Sequence, residues 1–116
     1  MSESELLVVM VTVPDGETAG RIAGALLNAR LAACVNRISG VQSVFLWQGK
    51  PDAAVEELLI IKTTGSAFAE VESLVASLHP YECPEVLALP VARVRPSYGA
   101  WVRESVGGGD PRSPAI

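Results

Sequence analysis

Hydrophobic and polar positions along this chain switch between two periods, and the switches lay out its elements. Leu6 to Val13 is an unbroken apolar run of strand length, rich in valine, that stops at Pro14-Asp15-Gly16. A run apolar on both faces predicts an interior strand covered on both sides. Asp15 is placed to cap a helix that carries Glu17 in its first turn. Ala19, Ile22, Ala23, Leu26 and Ala29 then fall at helical spacing, and Arg30 closes the stripe. Leu31 to Gln48 changes to strand alternation: Val41, Ser43, Phe45 and Trp47 share one face, and Gln42, Val44, Leu46 and Gln48 the other. Gly40 marks a bulge or a break in this long strand. Gln48-Gly49-Lys50-Pro51 reads as a hairpin connection, and Glu56 to Lys62 as the return strand.

Ser66 is the expected cap of a second helix whose buried stripe is Phe68, Val71, Leu74, Val75 and Leu78. His79 and Pro80 terminate it, since proline lacks the N–H that a helix interior needs. Glu85 to Val91 predicts a fourth strand, with Pro90 tolerable only at an edge or a bulge. Tyr98, Trp101 and Val102 predict a short closing helix after Pro96. The order strand, helix, strand, strand, helix, strand is the split βαβ, or ferredoxin-like, plan: an α+β sandwich with a four-stranded antiparallel sheet backed by two helices on one face. The expected organisation is one domain over residues 1–106 and a flexible Gly/Pro-rich tail over 107–116.

Composition changes this picture in one respect. Charged residues make up 19% against a hydrophobic fraction of 49%, below the roughly 25% charge of ordinary globular chains. The sheet's second face has no segment to cover it, so self-association is the expected cover. No apolar run is long enough for a membrane span. Net charge is −4, the only lysines are Lys50 and Lys62, and the arginines are scattered, which argues against a nucleic-acid partner. The acidic start, Met1-Ser-Glu3-Ser-Glu5, does not read as a signal peptide, and two distant cysteines suggest no disulfide framework. The expected compartment is the cytoplasm.

The densest chemistry lies in His79-Pro80-Tyr81-Glu82-Cys83-Pro84-Glu85, a stiff turn that holds the only histidine, a thiol, a phenol and two carboxylates. His79 and Cys83 are a plausible copper or zinc pair, with oxygen from Glu82 or Glu85 and a further thiolate from Cys34. The other reading of each is structural: His79 answering a carbonyl at the helix end, Cys83 a small turn residue, Cys34 a core thiol. One histidine and two cysteines are too few for a closed four-ligand nitrogen–sulfur site within one chain. Lys62, Tyr81, Glu85, Trp101 and Trp47 form an alternative set, a polar ligand pocket at a subunit boundary. Against that, Trp47 and Lys62 also suit a solvated sheet edge, and Trp101 suits packing of the last helix. There is no phosphate loop, nucleophile elbow or paired-carboxylate signature, so no enzyme is expected.

Taken in order, Val-Thr-Val-Pro-Asp, Leu-Ala-Ala-Cys-Val-Asn, Trp-Gln-Gly-Lys, Ile-Lys-Thr-Thr, His-Pro-Tyr-Glu-Cys-Pro-Glu and the Tyr98…Trp101 pair resemble the CutA family of divalent-cation tolerance proteins. The likeness runs from about residue 6 to 105, nearly all of the expected domain. It implies a homotrimer of ferredoxin-like subunits joined through long hairpins and sheet edges, similar in architecture to the PII signalling proteins. It also implies a role in the response to metal ions, copper in particular, with Cu(II) or another divalent cation as ligand and none required for folding. Copper-binding bacterial members resemble this chain only in part: a first-strand cysteine is replaced here by Val11, and the first of two histidines by Leu78, so His79 alone matches. The alternative within the resemblance is a PII-like small-molecule sensor, or a trimeric interaction scaffold without a metal role.

Overall fold

The structure, a computed structural model, describes residues 5–107. Its elements are β1 (Leu6–Val13), α1 (Gly16–Asn28), β2 (Cys34–Trp47), β3 (Lys50–Thr64), a 3-10 turn (Gly65–Ala67), α2 (Phe68–Leu78), β4 (Leu87–Pro90) and α3 (Pro96–Ser105). The sheet runs β2-β3-β1-β4 with every neighbouring pair antiparallel. The valine-rich first strand therefore sits inside the sheet, as its two-sided hydrophobicity requires. Leu7, Val9, Val11 and Val13 point to the helix side and are buried. They meet Ala19, Ile22 and Leu26 of α1, Val71 and Val75 of α2, and Leu59 and Ile61 of β3. Helix α3 packs on β1 and β3, where Val102 is buried and Gly99 lets the helix approach Leu6 and Val94.

Local chemistry explains most boundaries. The Asp15 carboxylate accepts from the Thr18 N–H at 2.7 Å and caps α1, and this bond holds the carboxyl below its usual range. Gly40, at φ +75, sits in a register shift between Ile38 and Val41, the expected bulge. Other boundaries differ from expectation, among them the start of β2, at Cys34 and not Leu31. Strand β3 begins at Lys50 because Gln48 (φ 51) and Gly49 (φ 79) alone make the turn, a two-residue connection with both φ values positive. Trp47 and Lys50 then form the hydrogen-bonded pair that flanks such a turn, so the next pair, Leu46 and Pro51, exchanges no ladder bonds and a proline costs nothing there.

The cap of the second helix also differs. Ser66 lies in the 3-10 turn with its hydroxyl 3.0 Å from that of Thr64, while α2 starts after Ala67 without a side-chain cap. Strand β4 is shorter than Glu85 to Val91, since only Leu87–Pro90 lies beside β1. Pro90 is on the edge strand, as its missing donor demands. All but Gly107 of the expected tail lies outside the described residues.

The sheet's second face carries the opposite parity: Val8, Met10 and Thr12 of β1, Glu56, Leu58, Ile60 and Lys62 of β3, and Leu87 and Leu89 of β4. Leu87 and Leu89 are about half exposed, at 54% and 51%. Beyond Glu57 the β1 partner has ended, and the β2–β3 hairpin continues alone with Val44, Leu46 and Val55 on its surface.

Candidate functional site

Chain direction reverses at the end of α2, and this reversal builds the site. His79 caps the helix through its N–H to the Val75 carbonyl at 2.9 Å, and Pro80 blocks another turn. The His79 ring is buried. Its Nε2 lies 2.7 Å from the Thr12 carbonyl oxygen, and its Nδ1 lies 3.1 Å from the Tyr81 N–H. A carbonyl can only accept and a backbone N–H can only donate, so the ring is the neutral Nε2–H tautomer with both nitrogens engaged. The Tyr81 ring packs beside it, tilted by 50° with centroids 4.7 Å apart, and its phenol reaches the open face of the sheet.

There the Tyr81 hydroxyl donates to Glu56 Oε2 at 2.9 Å. Desolvation first, then the Glu56 hydrogen bond and charge, push the phenol up to about 12. Glu56 is only 7% exposed. Its neighbour Glu57, on the helix face, has Arg37 at 3.4 Å and the Ser39 hydroxyl at 2.8 Å. Glu56 has no such cation among the described residues. Glu85 lines the same groove. Partial burial, followed by the negative charge of Glu56, raises its carboxyl above the ordinary range.

The turn and the hairpin line an open groove of about 940 Å³. Asp52, Glu56, Glu82 and Glu85 supply its charge, Phe45, Trp47 and Tyr81 its aromatic wall, and Cys83 a thiol; among the described residues no lysine or arginine lines it. Of the residues singled out from the sequence, Trp47, Tyr81, Glu82, Cys83 and Glu85 therefore come together. Lys62, Cys34 and Trp101 do not join them. Cys34 is the cross-strand partner of Lys62, six residues along β3 from Glu56, which is roughly 20 Å at strand rise. At that end Lys62 Nζ donates to Asn36 Oδ1, and Tyr98 packs against Trp101 at a tilt of 46°, 5.5 Å between centroids. Burial, and secondarily Cys34, raises the Tyr98 phenol.

A divalent ion fits the arrangement of one chain poorly. Among the described residues no three His, Cys, Asp or Glu groups are placed to hold a metal. His79 would have to release both of its hydrogen bonds to offer a lone pair and turn outward. Cys83 is exposed and Cys34 half-buried, and both are free thiols. Sequence reasoning missed Glu56, Asp52, Phe45 and Thr12. The signal for the first was the Glu56-Glu57 doublet in an apolar strand, where strand alternation must send one carboxylate to each face.

No helix among the described residues is long and apolar enough to cross a membrane. The CutA1 divalent ion tolerance protein family matches residues 7–105. The divalent-cation tolerance protein CutA of Thermus thermophilus is 47% identical over 100 residues, covering 86% of this chain and 97% of that protein. The chloroplastic CutA 1 of Oryza sativa is 43% identical over 99 residues, but this chain spans only 56% of its length. Among solved structures, the Thermus thermophilus protein superimposes with a TM-score of 0.87 at 46% identity, covering 88% of this chain and 99% of that one. The periplasmic protein CutA of Archaeoglobus fulgidus gives 0.85 at 39%, covering 88% and 99%. With the fold, the sequence motifs and these likenesses in agreement over nearly the whole described length, the chain belongs to the CutA1 divalent ion tolerance family.

Proposed function

We propose that the chain acts as a homotrimer in the response to divalent metal ions, and that the groove under the His79–Glu85 turn is where copper or another divalent cation is drawn in. The observation that supports this is Glu56, a buried carboxylate beside Glu85 with no cation of its own among the described residues. A buried anion without a counter-charge is costly, and an entering cation offsets that cost. Cys83 and Glu82, on the exposed turn, add sulfur and oxygen donors. Since one chain does not converge three donors, water or neighbouring copies complete the shell. His79 serves by positioning: it fixes Tyr81, and Tyr81 fixes Glu56. The role is binding and not catalysis.

Trimerisation gives the exposed apolar side chains a cover. Val44, Leu46 and Val55 are 79%, 74% and 68% exposed, and they lie on one hairpin. Two free cysteines at opposite ends of the sheet favour a reducing compartment, the cytoplasm. A second reading, a small-molecule sensor, is favoured by the groove's mixture of aromatic and carboxylate side chains.

Calorimetric titration of chelator-treated protein with copper(II) and zinc(II) tests the metal reading, with light scattering on the same samples. Saturable binding that Glu56→Gln or Cys83→Ser weakens tenfold or more is expected, from a species of three protomers. Binding unaltered by both substitutions would remove the groove as the metal site, and a monomer at micromolar concentration would remove the trimer.

A further inference from the structure

We draw no further inference here: the strongest candidate, the apolar surface of Val44, Leu46 and Val55 on the projecting β2–β3 hairpin, restates the cover already given to it by the trimer, and nothing in the structure shows another occupant.

Discussion

Removing His79 distinguishes a residue that holds the turn from one that waits for a metal. In His79→Ala the Thr12 carbonyl loses the Nε2–H donor at 2.7 Å, and the Tyr81 N–H loses the Nδ1 acceptor at 3.1 Å. Each bond contributes about 1 kcal/mol net, and a buried group left unpaired adds its desolvation cost, so the loss comes to roughly 2–4 kcal/mol. Urea unfolding of chelator-treated wild type and variant, at one fixed protomer concentration, reads this directly. A second readout follows the turn itself. The Tyr81 phenol, held at about 12 by burial and by Glu56, should titrate nearer 10.0 by ultraviolet absorbance once the turn loosens. A metal-free stability loss below about 0.5 kcal/mol, with the tyrosine titration unmoved, would refute the positioning role and restore His79 as a free ligand.

Glu85→Gln should stabilise the protein at neutral pH and leave it unchanged in acid. The Glu85 carboxyl is raised in the folded state, so unfolding releases it to ionise, and its penalty on the fold grows as pH rises through the ordinary value of 4.5. Denaturation midpoints at neutral pH and below that value check the sign; equal effects at both would contradict it. Leu59→Ala, at a fully buried position between the helices and the sheet, should cost about 2–5 kcal/mol in the same urea assay. A cost under 1 kcal/mol would mean that the core is not packed as described.

Much of the fold was legible because its signals are local or periodic. The valine run of β1 needed cover on both faces, Asp15 lay in front of a helical stripe, and Gly40 broke an alternating strand where a positive φ was required. Boundaries failed where those signals fall silent. Lys50 to Ala54 is largely exposed on both faces, so no buried stripe announces that β3 has begun. Gln48 at φ 51 and Arg30 at φ 56 adopt left-handed conformations that glycine or asparagine ordinarily declares. Ser66 offered a plausible cap, but Thr64 engages its hydroxyl before the α-helix starts.

The site divides along the same line. The His-Pro-Tyr turn was visible as chemistry, but its working geometry depends on a carbonyl 67 residues away, a distance in sequence that no motif spans. The two carboxylates of β3 show what the fold adds. Glu56 and Glu57 are identical in type and adjacent in sequence, yet alternation gives them opposite faces. On the helix side Glu57 meets Arg37 and Ser39, so the chain neutralises that carboxylate itself. On the open side Glu56 meets a phenol that cannot neutralise it, under a wall that excludes much of the water. Two carboxylates of equal intrinsic acidity thus differ in whether the described residues supply them a counter-charge. The one left incomplete faces the groove, and that asymmetry, more than any ligand motif, is why the groove and not the Cys34–Lys62 end is the place to look for a cation.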